Sequence, residues 1–166
     1  MIYLVDSDAL ISAHRKFYKI QHFPSFWAWL NQQFVSKHAQ SVADVQSELL
    51  KGGSSDPLTL WVKNNGGYFL STSGQNDQQN LVKIINYVNN KYQKGQHLSN
   101  FINGADICLI AKAVTLKDGG SSVMVVTNEQ SAPNSTRKVK IPDVCAGYGI
   151  PTITFFDFIY NLNINI

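Results

Sequence analysis

Two short apolar runs in distant parts of the chain each end on acidic or amide side chains. Residues 2–5 have the sequence Ile-Tyr-Leu-Val and lead into Asp6-Ser7-Asp8, and residues 123–126 have the sequence Val-Met-Val-Val and lead into Thr127-Asn128-Glu129. Short Val/Ile/Leu runs closed by polar residues are typical of buried parallel strands. In an open parallel sheet, ligands bind outside the carboxyl ends of the strands. Carboxylates gathered at that edge repel one another unless a metal ion or protons intervene, so the pattern predicts a cation site.

Predicted helices alternate with predicted strands along the whole chain. We expect strands at residues 2–5, 38–42, 68–70, 123–127 and 151–155. We expect helices at residues 7–17, from residue 23 onward, at 43–50, from Asp56-Pro57 to about residue 64, and at 78–92, 101–116, 141–148 and 156–162, with a loop at 91–98. This alternation predicts one α/β domain, residues 1–166, whose parallel sheet is covered by helices on both faces.

Composition and charge narrow the class of protein. The chain has 166 residues, of which 44% are hydrophobic and 15% charged, as in one domain with its own core. No apolar run reaches the roughly 18 residues of a membrane span, so we expect a cytoplasmic protein that does not associate with membranes. The net charge is +3. Acids gathered in one pocket would leave a basic surface suited to a polyanion, although an ordinary, slightly basic protein explains the charge equally well.

The remaining metal-binding residue types show no metal-site spacing. Cys108 and Cys145 lie in predicted helices without a paired cysteine or histidine, so we expect them to act as small hydrophobic residues. The four histidines form no metal-spaced pair, and we expect them at the surface or at helix caps. Lys112 is expected to be a surface lysine.

The surroundings of three acidic residues differ in how strongly they indicate a site. Asp6 closes the first strand, where it is suited either to a site or to capping the next helix. Asp106 lies in a nearly all small or apolar segment, an expensive place for a carboxylate without a partner. Glu48 borders the apolar stripe formed by Val45 and Leu49, and taken alone it would be a solvated helix residue.

Four segments of the chain resemble, in order, the four acidic motifs of PIN-like nucleases. They are Leu4 to Ile11, Val45 to Leu49, Ala105 to Ala113 and Val125 to Glu129. The stretch from Tyr18 to Trp27 and the segment Lys140 to Cys145 resemble one bacterial branch of that superfamily. The resemblance covers almost the whole chain.

The resemblance implies a fold and an activity. The fold is a three-layer α/β/α sandwich with a central parallel sheet in strand order 3-2-1-4-5. The activity is Mg²⁺- or Mn²⁺-dependent endoribonuclease cleavage of RNA. Many bacterial members are toxins that a small antitoxin protein holds inactive, so RNA and an antitoxin are the expected partners. Arg15, Lys16 and Tyr18 form a candidate docking surface for both.

The resemblance also assigns the site residues. Asp6, Glu48 and Asp106 take the three main acidic positions, and Glu129 takes a fourth where the family usually has aspartate. These four are the expected catalytic residues and metal ligands. Supporting residues are expected around them: Asp8 adds negative charge, Thr127 orients an acidic side chain or a water, and Asn128 lies beside them.

Other functions fit parts of the pattern. Asp6-Ser7-Asp8 also matches the motif of haloacid-dehalogenase-like phosphatases, in which the first aspartate is the nucleophile. That family expects a pair of aspartates after a later strand, where this chain has only Glu129. A catalytically degenerate PIN-like module that binds RNA or protein without cutting is a further alternative. The aromatic group around Trp27 favours core packing or a homodimer contact over base stacking.

Overall fold

The computed structural model describes residues 1–164 and contains a five-stranded sheet in which every neighbouring pair of strands is parallel. The strands lie in the order β3-β2-β1-β4-β5. Their bounds are β1 Ile2–Val5, β2 Ala39–Val42, β3 Phe69–Leu70, β4 Val123–Val126 and β5 Thr152–Ile153. With helices flanking this sheet, the fold is the predicted three-layer α/β/α sandwich, and the predicted strand order is confirmed.

Nine α-helices accompany the sheet in the described residues. They are α1 Ser7–Ser12, α2 Pro24–Val35, α3 Ala43–Leu49, α4 Pro57–Asn64, α5 Gln75–Lys91, α6 Gln96–Ile102, α7 Ala105–Asp118, α8 Ile141–Gly147 and α9 Phe155–Asn161. A π-helical turn, Ala13–Phe17, extends α1, and 3₁₀ turns form at Leu50–Gly52 and Gly66–Tyr68. None of these helices within residues 1–164 has the length and apolar character that crossing a bilayer requires.

The core surrounds the central strand β1. Leu4 and Val5 are completely buried, as are Phe26 of α2 and Phe155 and Phe158 of α9. Burial on both faces explains why β1 is a continuous apolar run rather than an alternating one. Val5 pairs with Val126, so the polar residues that follow β1 and β4 start from the same edge of the sheet.

The local sequence correctly predicted the start of α4 but not the start of α9. The Asp56 carboxylate accepts a hydrogen bond from the backbone N–H of Thr59 at 2.9 Å, and Pro57 occupies the first turn of α4. This is the acidic cap with a following proline that the sequence predicts. The last strand is shorter than predicted because Thr154 caps α9, accepting from the N–H of Asp157 at 3.1 Å, so Phe155 is helical.

One helix boundary differs in a way that affects the site. The sequence predicts a loop at 91–98 and a single helix at 101–116, whereas the structure has α6 starting at Gln96 and a break at Asn103-Gly104 before α7. Gly104 is extended, and a Cβ there would lie 3.0 Å from the carbonyl oxygen of Asn100. Asp106 therefore lies in the first turn of a new helix rather than inside a continuous one.

Of two side chains expected at the surface, His14 is buried and Lys112 is only partly exposed. His14 is only 7% exposed, and its Nδ1 accepts a hydrogen bond from the backbone N–H of Ile20 at 3.3 Å. Lys112 forms an ion pair with Asp77, with 2.6 Å between Nζ and Oδ2. Both predictions were wrong, because contacts between distant segments decide burial and a local pattern does not contain them.

The two cysteines occupy helices, as predicted. Cys145 is buried and Cys108 is partly buried. Burial is the main cause that raises the pKa of each thiol to about 12. A thiol with so high a pKa is a poor nucleophile and metal ligand, which agrees with a packing role for both residues.

Candidate active site

Asp6 directly follows β1, where it caps the next helix and is buried. Its Oδ1 accepts a hydrogen bond from the backbone N–H of Ala9 at 2.6 Å, so it caps α1, and the residue is only 2% exposed. Burial raises the pKa of this carboxyl to about 7, and the charges of Asp106 and Asp8 add to the increase. The Thr127 hydroxyl and the Ala9 N–H act in the opposite direction. A cap alone would not need so costly a carboxylate.

Asp106 lies close to the other acidic residues. It is half-buried in the first turn of α7. Burial raises its pKa to about 6, and the charges of Glu129 and Glu48 are the next largest causes, while Lys140 opposes them. Carboxylates whose charges raise the pKa of Asp106 in this way lie in its neighbourhood.

Glu48 joins the starts of two helices. Its Oε2 accepts a hydrogen bond from the Ser7 hydroxyl at 2.8 Å, and its Oε1 accepts from the backbone N–H of Ala105 at 3.4 Å. Ser7 directly follows Asp6, and Ala105 directly precedes Asp106. Glu48 is therefore bonded to the residues next to both carboxylates and is not the solvated helix residue that its local sequence alone would suggest.

Glu129 is bound on both carboxylate oxygens. Oε1 lies 3.0 Å from the Lys140 ammonium, and Oε2 accepts from the backbone N–H of Ile141 at 2.8 Å. Its own N–H donates to the Thr127 hydroxyl at 3.2 Å. Thr127, which is 2% exposed, thus contacts the backbone of Glu129 and stabilises the ionised Asp6.

The other two supporting residues differ in position. Asp8 is exposed, and its charge raises the pKa of both Asp6 and Asp106. Asn128 turns to another element, because its Oδ1 accepts from the backbone N–H of Phe155 at 3.1 Å. This bond ties the end of β4 to the start of α9.

Three further residues shape the site and were not predicted as site residues. Ser7 orients Glu48, and Lys140 pairs with Glu129. Asp143 is 5% exposed and accepts hydrogen bonds from the Ser131 hydroxyl and, at 2.8 Å, from the N–H of Ala132. For Lys140 and Asp143, the only sequence signal was that the segment Lys140 to Cys145 resembles a bacterial branch of the PIN-like nucleases. That resemblance assigned no role to either residue.

The donor set fits a hard divalent cation. Carboxylate oxygens are the ligands that Mg²⁺ and Mn²⁺ prefer, and Mg²⁺ keeps several waters while taking one or two carboxylates. Within residues 1–164, however, no three His, Cys, Asp or Glu side chains are arranged to hold an ion together. Asp6, Glu48 and Glu129 each also accept hydrogen bonds from protein donors. A largely hydrated ion, which needs only one or two direct carboxylate ligands, suits such a site.

Removing the Asp6 charge should stabilise the metal-free protein at neutral pH. The folded-state pKa of about 7 exceeds the ordinary 3.8, so the contribution of Asp6 to stability is present below about pH 4 and is lost as the pH rises toward 7. Asp6→Asn keeps an acceptor for the Ala9 N–H and carries no charge. We expect the free energy of unfolding in urea with chelator at pH 8 to rise by on the order of 2 kcal/mol, and by less at pH 5.

Exposed Asp118 provides the control for this measurement. Asp118→Asn should change the free energy of unfolding by no more than about 0.5 kcal/mol at either pH. An Asp6→Asn protein that is less stable than the parent at pH 8 would contradict the conclusion that this carboxylate is held at a cost.

Comparison with protein families gives a match over nearly the whole chain. The family model described as "Domain of unknown function (DUF4411)" matches residues 3–166. The search of curated proteins finds no match. The family description names no activity.

Proposed function

The chain belongs to the DUF4411 family of domains of unknown function, and we propose that it is a metal-dependent endoribonuclease of the PIN-like type. The observation that carries the proposal is that Asp6 and Asp106, two carboxyls with raised pKa values, lie close enough for the charge of Asp106 to raise the pKa of Asp6. Glu48 bridges the residues next to each of them. Perturbed carboxylates gathered at the carboxyl edge of a parallel sheet are a candidate site on physical grounds, and the four acidic motifs resemble those of PIN-like nucleases.

Each residue has a role in the proposed reaction. Asp6 and Asp106 would hold Mg²⁺ or Mn²⁺, which when bound polarises the phosphate and lowers the pKa of an attacking water. Glu48 keeps the starts of α1 and α7 together, and with them the residues next to Asp6 and Asp106. Thr127 and the Ala9 N–H orient the Asp6 carboxylate. Burial of Asp6 strengthens its interaction with a cation, because water screens it less.

The test is cleavage of an end-labelled RNA of mixed sequence with Mg²⁺ or Mn²⁺. We expect internal cuts that EDTA abolishes and that Asp6→Asn fails to make, while Asp118→Asn cuts like the parent. Cleavage that persists in EDTA, or an Asp6→Asn protein as fast as the parent, would refute the proposal. RNA binding in EDTA with no product under any metal would indicate a binding module instead. Turnover of a generic aryl phosphate that depends on Asp6 would indicate a phosphatase.

A role as the toxin of a toxin–antitoxin pair is a narrower proposal, supported by the resemblance. Arg15 and Lys16 are exposed on the π-helical turn after α1, where they are accessible to RNA and to a protein partner. Reversing both charges should weaken RNA binding, and the loss should shrink as salt rises. Fluorescence anisotropy at two salt concentrations measures this. Unchanged affinity at low salt would show that these side chains belong to an ordinary solvated surface.

A further inference from the structure

The loop between β4 and α8 folds back so that a lysine reaches the carboxylate cluster. The Lys140 ammonium lies 3.0 Å from Glu129 Oε1. The two side chains are 32% and 25% exposed, so the pair is partly shielded from water. The other Glu129 oxygen accepts from the N–H of Ile141, the first residue of α8. One carboxylate thus binds both the lysine and the start of the helix that follows it.

The position of Lys140 is fixed by a second set of bonds. Asp143, in the first turn of α8, is buried and accepts hydrogen bonds from Ser131 and Ala132 in the same loop. The loop is therefore attached to α8 at two points, Glu129 and Asp143. A salt bridge from an exposed lysine is weak, because holding the long side chain in one conformation costs entropy. The backbone of Lys140, by contrast, is anchored.

The charge of Lys140 acts on the site beyond Glu129. It opposes the repulsion that Glu129 and Glu48 exert on Asp106. Asp6, Glu48, Asp106 and Glu129 together carry more negative charge than one divalent ion neutralises. A second cation is therefore favoured at this edge of the sheet, and the structure places an ammonium there.

We propose that Lys140 takes the place of a second divalent ion at Glu129, so that the site holds one Mg²⁺ or Mn²⁺ and a lysine. The inference rests on the proposed metal-dependent function. An ammonium has three N–H donors, of which Glu129 takes one, so Lys140 can also donate to a phosphate oxygen of the substrate. Its charge would stabilise negative charge on the leaving oxygen.

Counting bound Mn²⁺ tests this inference without any need for cleavage. Calorimetric titration, with electron paramagnetic resonance as a check, should give one Mn²⁺ per chain for the parent and for Lys140→Arg. Lys140→Met should bind two, because Glu129 loses its cation. Exposed Lys138 is in the same loop, and Lys138→Met should bind one like the parent. If cleavage occurs, Lys140→Met should slow it by about 10²-fold at a metal concentration that fills only the first site, and a higher concentration should recover part of the rate.

The outcomes separate this inference from the proposed function. Two Mn²⁺ on the parent, no Mn²⁺ on either protein, or the same count for parent and Lys140→Met would each overturn it. If cleavage requires metal but the count does not change, the lysine inference fails and the nuclease proposal stands. If the count rises from one to two and no RNA is cut, the lysine inference stands and the nuclease proposal fails.

Discussion

Asp106→Asn should lower the rate of the proposed metal-dependent RNA cleavage by about 10³-fold or more. Several kcal/mol of transition-state stabilisation come from a bound ion, and each 1.36 kcal/mol corresponds to about a tenfold change in rate. Asp106 is half-buried beside Glu129 and Glu48, so the variant removes a charge from the centre of the cluster. Single-turnover cleavage of labelled RNA at saturating Mn²⁺ measures the loss.

The same helix offers a matched control for this prediction. Asp118 is the last residue of α7, exposed and far from the cluster in sequence. Asp118→Asn should cleave within about twofold of the parent, since surface substitutions of this kind change little. Equal rates for Asp106→Asn and the parent would mean that Asp106 is not part of the catalytic site. A folded Asp106→Asn protein, shown by a cooperative thermal transition, excludes simple unfolding as the cause of lost activity.

The parts of the fold that could be predicted were those determined locally. β1 and β4 were recognisable because both are short apolar runs closed by polar residues. The start of α4 was recognisable because Asp56 and Pro57 suit the first turn of a helix whatever surrounds it. The parallel sheet followed from the alternation of elements, whereas the strand order came from the resemblance, because nothing local specifies which strands become neighbours.

The parts that could not be predicted depend on contacts between distant segments. The break before α7 is an example, because only the close approach of Asn100 shows that Gly104 ends one helix and starts another. For the candidate site, Asp6 could be proposed because it closes an apolar strand, and Asp106 because a carboxylate in an apolar segment is costly without a partner. The hydrogen bonds of Glu48 to Ser7 and Ala105 span 41 and 57 residues of sequence, and no periodicity encodes them.

The burial of Lys112 also depends on a contact between distant segments, in this case between two helices that support the candidate site. It lies on α7, the helix that carries Asp106, and its ammonium is 2.6 Å from Asp77 on α5. The lysine side chain is 12% exposed and the aspartate side chain 6%, so both charges are nearly removed from water. The Oδ1 atom of Asp77 is buried, with no hydrogen-bond partner among residues 1–164. The ion pair is therefore the main compensation that this carboxylate has.

Lys112→Met should destabilise the protein by about 3–5 kcal/mol, since it leaves the Asp77 charge buried without its counter-charge. Urea unfolding at pH 7 measures the loss. The control is Lys63→Met, at an exposed position in the last turn of α4, which should cost no more than about 0.5 kcal/mol.

Adding Asp77→Leu to Lys112→Met should recover most of the stability, because replacing both members of a buried ion pair by apolar residues is often nearly neutral. A Lys112→Met protein as stable as the Lys63→Met control would show that the pair contributes nothing to holding α7 against α5. If the parent binds Mn²⁺ as proposed, a stable double variant with the same affinity would show that this ion pair supports the fold and not the proposed metal site.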